Sequence, residues 1–177
     1  MTLNKIRFKR LNDDATLPTK AHPTDSGFDL YASEDVIIEP GETTIVPTGI
    51  AVELPKGYEA QVRPRSGVTA KSKLRVQLGT IDNGYTGEIG VIVDNITDDP
   101  IGNTSRYLNF VDGSEIRQEE DILDGTYFIR KGDRIAQLVV QALPAVTAVE
   151  IEDFSEESER GEGGFGSTGV RNDKEGE

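Results

Sequence analysis

The chain contains no cysteine and a single histidine, His22. The first absence excludes disulfides and thiolate metal sites. The second argues against histidine-based metal or general-base chemistry, so acid–base work should fall to the plentiful carboxylates. No apolar run approaches the roughly 18 residues of a membrane-spanning helix. Met1-Thr2-Leu3-Asn4-Lys5-Ile6 lacks the apolar stretch of a signal peptide. The expectation is therefore a cytoplasmic protein without a membrane partner. Positive charge is also scarce, leaving a formal net charge of −13. Such a chain repels long polyanions, so no nucleic-acid partner is expected. A small phosphate ligand is still allowed, because a pocket needs only local positive charge. Helical faces longer than about two turns are missing too. Gly67 to Leu74 is the one stretch that could hold a short helix.

What remains is strand-like. Tyr58, Ala60 and Val62 alternate with Glu59, Gln61 and Arg63, and Ile50, Val52 and Leu54 alternate with Ala51 and Glu53. Ile89, Val91 and Val93 follow the same period of two, which puts alternate side chains on opposite faces. Turn signals separate these runs at Glu39-Pro40-Gly41-Glu42, Pro55-Lys56-Gly57, Asp82-Asn83-Gly84 and Lys131-Gly132-Asp133. Many short strands at this spacing predict an all-β sandwich or barrel. At 177 residues the chain has the length of one domain. A polar segment at about 97–123 reads as a surface insertion, a small hairpin or subdomain. The acidic and then glycine-rich residues from about 155 read as a tail without core.

Five segments carry candidate chemistry. Glycines around Arg160-Gly161-Glu162-Gly163-Gly164-Phe165-Gly166-Ser167-Thr168-Gly169 can wrap main-chain N–H groups around phosphates. Arg160 offers a charged fork there, and Phe165 a flat face for a base. Pro64-Arg65-Ser66-Gly67 follows a strand and could open a helix, as a phosphate cradle or as an ordinary turn. In Gly79-Thr80-Ile81-Asp82-Asn83-Gly84-Tyr85-Thr86-Gly87-Glu88, the Asn-Gly pair signals a hairpin. Asp82 could hold a water, or merely satisfy the turn. Asp29, within Thr24-Asp25-Ser26-Gly27-Phe28-Asp29-Leu30, could point inward from a strand. Lys131-Gly132-Asp133-Arg134-Ile135-Ala136-Gln137-Leu138 reads as a hairpin turn entering a buried strand that carries an unexpectedly polar Gln137. Asp29, Arg134 and Gln137 could equally serve internal hydrogen bonds.

In this order, from about Ile6 to Gly169, the five segments resemble the motifs of the homotrimeric dUTPase family. The resemblance implies a jelly-roll-like β-barrel over 1–154, a closing arm at 155–170 and a disordered tail at 171–177. It implies three chains sharing each active site, with dUTP as substrate and Mg2+ as cofactor. Asp82 would activate the attacking water. Thr80, Ile81 and Tyr85 would bind uracil and deoxyribose. Arg65, Ser66, Gly67 and Gln137 would line the site, the first three at the phosphates. Arg160, Phe165, Gly166 and Ser167 would close over the ligand, and Asp29 would reach the metal through water.

Two departures stand out. Val76 occupies the position, six residues before Asp82, where many family members carry an asparagine that helps read uracil. The insertion resembles that of phage-encoded relatives, some of which bind regulatory proteins. A phage-type enzyme in a host cytoplasm, with a repressor-like partner on residues 97–123, is the corresponding expectation. The similar dCTP deaminases place a glutamate where this chain has Thr86.

Overall fold

Period-two patterning becomes thirteen strands and one helix in the computed structural model, which describes residues 5–98, 102–154, 161 and 163. The strands begin with β1 (Arg7–Arg10), β2 (Gly27–Tyr31), β3 (Val36–Ile38), β4 (Thr43–Pro47), β5 (Ile50–Glu53) and β6 (Tyr58–Pro64). Then come α1 (Ser66–Lys71), β7 (Leu74–Val76), β8 (Gly79–Ile81) and β9 (Gly90–Asn95). The series ends with β10 (Thr104–Phe110), β11 (Glu115–Leu123), β12 (Tyr127–Ile129) and β13 (Arg134–Ala142). These elements lie in a compact unit, residues 1–145. Among the described residues of the second unit, 146–177, there is no strand or helix.

The sheets run β2-β13-β6-β8, β11-β10-β12-β3, β4-β9-β7 and β1-β5, a jelly-roll-like all-β arrangement. Inward residues are mostly branched aliphatics, which suit a pleated, half-buried surface. Leu30, Ile38, Val46, Ile50, Val91, Ile135 and Leu138 are essentially sealed from solvent in one core. Asn95 is buried among them without an unmet bond. Its Nδ2 donates to the carbonyls of Ile38 at 3.0 Å and Gly125 at 2.9 Å, and its Oδ1 accepts from the Thr97 N–H at 3.1 Å. A buried amide so saturated ties three segments at one point.

Two hairpin readings are corrected by the pairing. The Asn83-Gly84 turn links β8 and β9, but β8 pairs with β6, whereas β9 pairs with β4 and β7. Gly84 also lacks the positive φ of a tight Asn-Gly hairpin. The Lys131-Gly132-Asp133 turn likewise links β12, paired with β3 and β10, to β13, paired with β2 and β6. The physical reason is common to both. The chain crosses from one sheet to another at each turn, so both strands can aim an apolar face at the shared core.

The short helix falls at Ser66–Lys71, with Leu74 already in β7. The polar segment holds a true hairpin, β10–β11. It is joined to the barrel rather than detached, because β10 runs parallel to β12 and buries Leu108 and Phe110. At its tip the Asp112 carboxyl is held below the usual carboxylate range, chiefly by the Ser114 hydroxyl and N–H.

Candidate functional site

The β2–β13–β6 register gathers the first half of the site. Gln137 lies opposite Asp29 on one side and Arg63 on the other, so these side chains share one sheet face. β6 ends at Pro64, and Arg65 then turns the chain into α1. Arg65 stands at the helix N-cap with extended backbone and does not cap it with its side chain. The guanidinium reaches across instead. Its Nε lies 3.0 Å from Asp29 Oδ1, and its Nη1 donates to the Arg134 carbonyl at 3.1 Å. Arg134 brings a second guanidinium, with Nη1 3.6 Å from Asp29 Oδ2. The Asp29 side chain is only 15% exposed, which lessens screening of both contacts.

Gln137 donates from Nε2 to the Pro64 carbonyl at 2.9 Å. It fits because Gly27 faces it. A Cβ on Gly27 would lie 2.9 Å from Gln137 Oε1. These residues surround an open cavity of about 430 Å³, lined by Asp29, Arg65, Ser66, Gly67, Arg134 and Gln137 and walled by Asp25 and Ser26. Its charged side chains balance, Arg65 and Arg134 against Asp25 and Asp29, in a chain of strongly negative net charge, and Asp25 accepts from the His22 N–H. The two guanidiniums can hold phosphate oxygens.

The second half sits at the end of β8. A cavity of about 230 Å³ is lined by Thr80, Ile81, Asp82, Tyr85, Glu88 and Ile92, with Val62 and Ile89 behind. No lining residue is shared with the first cavity. Asp82 is exposed on a turn closed by the Tyr85 N–H donating to the Asp82 carbonyl at 3.0 Å. The Tyr85 hydroxyl donates to the Glu88 carbonyl at 2.8 Å. Its ring lies over Gly87, where a Cβ would be 2.5 Å from the hydroxyl. Glu88 is itself anchored, its Oε1 accepting from the Gly49 N–H at 2.7 Å. β8 is the last strand of its sheet, so among the described residues one of its main-chain edges has no strand partner.

The expected residues therefore fall into two groups: Arg65, Ser66, Gly67, Gln137 and Asp29 in one cavity, and Thr80, Ile81, Asp82 and Tyr85 in the other. Arg160, Phe165, Gly166 and Ser167 lie outside the described residues. Arg134 joins the first group although sequence reasoning left it unassigned. The signal was its place in the same string as Gln137. Among the described residues no three His, Cys, Asp or Glu side chains converge as a metal cage.

The sequence model of the dUTPase family matches residues 13–105 and 124–169. The chain belongs to the dUTPase family. It is 40% identical over 171 residues to the deoxyuridine 5'-triphosphate nucleotidohydrolase of Clostridium tetani, covering 96% of this chain and 99% of that one. Among solved structures it is similar to the Staphylococcus bacteriophage 80alpha dUTPase with dUPNHPP. That similarity has a TM-score of 0.90 and 38% identity, over 95% of this chain and all of the other. A variant of the phage phi11 dUTPase from S. aureus, described with a coordinated structural Mg(II) ion, gives 0.82 and 32% over 85% and 99%. The dUTPase match skips 106–123, which is most of the β10–β11 hairpin.

Proposed function

We propose that this chain hydrolyses dUTP to dUMP and pyrophosphate, with Asp82 directing a water at the α-phosphorus. The observation that carries the reading is the division of labour between the two cavities. One offers two arginines and a glutamine in a polar cradle, and the other a turn carboxylate beside a tyrosine and an open strand edge. An ionised carboxylate is a weak base, so its main service is to orient the water and accept its proton. Arg65, Arg134, Ser66, Gly67 and Gln137 grip the phosphate chain, and the guanidiniums stabilise charge on the departing pyrophosphate. The free edge of β8 at Thr80 and Ile81 presents main-chain donors and acceptors to the uracil edge. This supplies base reading where Val76 offers no amide. The Tyr85 ring packs on deoxyribose and leaves no room for a 2′-hydroxyl. Arg160, Phe165, Gly166 and Ser167 complete the enclosure by the family resemblance.

We further propose that the active enzyme is a homotrimer in the cytoplasm, with the turn of one copy facing the cradle of another. Two cavities without a common lining residue support that arrangement, since one nucleotide has to engage both. Magnesium fits this donor set when it is carried on the triphosphate, because it keeps its waters and needs few protein ligands. Asp29 is the residue that would reach it, through water. When bound, it neutralises charge on the leaving group.

The turn cavity argues against the deaminase alternative. The carboxylate in the turn cavity besides Asp82 is Glu88, and it is committed to Gly49. A second reading adds a regulatory protein partner on the β10–β11 hairpin, favoured by half-exposed Tyr107 and Ile116. Removing residues 106–123 and retaining every co-purifying partner would dispose of it.

Pyrophosphate release from dUTP, dTTP, dCTP and UTP tests the main proposal. Only dUTP should turn over rapidly, and Asp82→Asn should lose at least about a hundredfold in kcat while still binding dUTP. An Asp82→Asn enzyme of undiminished rate would refute the assignment.

A further inference from the structure

The catalytic turn has an unusual mechanical problem. A hairpin turn is held by the ladder of its own two strands. Here β8 and β9 leave the turn for different sheets, so no ladder clamps the stem of residues 82–85. The turn is exposed throughout. Its internal bond, from the Tyr85 N–H to the Asp82 carbonyl, closes the turn without fixing where it points. The Tyr85 hydroxyl ties the far side to Glu88. On the near side the ladder with β6 ends at Ile81, one residue short of the proposed catalytic carboxylate, so the turn beyond it needs a further anchor.

Asn83 meets that need. Its Nδ2 donates to the carbonyls of Pro55 at 2.7 Å and Tyr58 at 3.1 Å, with the Leu54 carbonyl at 3.4 Å on the outer edge. Three carbonyl acceptors around one terminal atom settle the orientation of the amide, because its own oxygen could not sit there. The acceptors belong to the turn between β5 and β6 and to the first residue of β6, a segment that is itself firm. The Tyr58 N–H donates to the Pro55 carbonyl at 3.2 Å, and the Leu143 N–H donates to the Gly57 carbonyl at 2.8 Å. Asn83 therefore staples a loosely supported turn to a well-supported one, one residue from the carboxylate that must aim a water.

We infer that Asn83 is a positioning residue for Asp82. The inference rests on the dUTP-hydrolysing reading and adds to it. Water activation is sensitive to displacements well under an ångström, whereas gripping phosphates and packing a sugar are done by other residues. Loss of the staple should therefore appear in kcat and spare KM. Asn83→Ala releases the turn. Asn83→Asp keeps the size but sets a carboxylate against three carbonyls, so it should be the more damaging of the two.

The test uses the full-length enzyme with magnesium, measuring steady-state dUTP hydrolysis and thermal melting for wild type, Asn83→Ala and Asn83→Asp. We expect kcat to fall about tenfold in Asn83→Ala and further in Asn83→Asp, with KM within about threefold and melting within a few degrees of wild type. If one variant fails to fold, the other decides. Kinetics on folded enzyme with kcat within twofold of wild type, or a loss confined to KM, would overturn the positioning role and leave the hydrolase reading intact. A wild-type chain that does not hydrolyse dUTP would instead remove that reading.

Discussion

The cradle around Asp29 and the turn around Asp82 belong to one barrel but are built on opposite principles. The cradle is made of charged side chains brought together by long-range register. Asp29 comes from β2, Arg65 from the end of β6 and Arg134 from the start of β13. The turn is made of main chain, an aromatic ring and glycine. Tyr85 lies where it does because Gly87 has no Cβ, and β8 exposes an edge because it ends its sheet. Charge suits a triphosphate, which every nucleotide carries. Shape and fixed main-chain groups suit the base and sugar, which differ from one nucleotide to the next. On the proposed reading, grip belongs to the first region and choice to the second.

The sharpest way to break it is to damage one region in each of two chains. Asp82→Asn and Arg65→Ala should each lower kcat/KM at least about a hundredfold as pure proteins. Coexpressed in equal amounts, they should form mixed trimers in which some sites pair an intact turn with an intact cradle. Random assembly gives about a quarter of the wild-type activity. Recovery on that scale, measured by pyrophosphate release, would place the two regions of one site on different chains. A mixture as inactive as its components would mean that both halves of each site come from one chain.

The same contrast explains what could be read from the sequence. The strands were legible because a period of two with Val, Ile and Leu on one side survives any topology. The motif strings named the candidate residues, but those of the cradle, Asp29, Arg65, Arg134 and Gln137, are scattered along the chain, and only register gathers them. The pairing of strands was not legible. Asn83-Gly84 and Gly132-Asp133 say where the chain bends, but not which strand it meets after the bend. Both turns proved to cross between sheets. Arg134 was left without an assigned role for a related reason: its partner Asp29 is far away in sequence, and only register brings them together. Gly27 did carry a signal, since a glycine inside a strand often marks a close approach. Here the approaching group is Gln137.

A smaller intervention separates choice from grip. Gly87→Ala places a Cβ within 2.6 Å of the Tyr85 ring carbon that bears the hydroxyl, so the ring has to move. The charged contacts of the cradle are untouched. We expect kcat/KM for dUTP to fall several-fold, by up to about tenfold, and the preference for dUTP over UTP to weaken by more than either substrate's phosphate affinity changes. Competition by inorganic pyrophosphate, which reports the cradle alone, should stay as in the wild type. A variant with unchanged preference would deprive Tyr85 of its role in rejecting ribose.

The smallest effect is expected at the β10–β11 hairpin, and it asks whether a third region intrudes on the two. Asp112, at the hairpin tip, accepts from the Ser114 N–H and hydroxyl and lies 3.8 Å from Arg130, which also pairs with Asp133, the neighbour of Arg134. The folded state holds the Asp112 carboxyl below its ordinary range, so its ionised form favours folding. That contribution is complete above the unfolded-state value and is lost as pH falls through the folded-state value. Asp112→Asn should therefore melt slightly below wild type at neutral pH, by about 1 °C given the exposure of the group, and the gap should close below about pH 4. Turnover at neutral pH should not change, because the proposed grip on phosphate comes from Arg65 and Arg134, which Asp29 holds in place. A clear change in KM with this variant would mean that the hairpin tip, acting through Arg130 and Asp133, helps to set Arg134. The cradle would then extend into the internal segment, 106–123, that the family match skips.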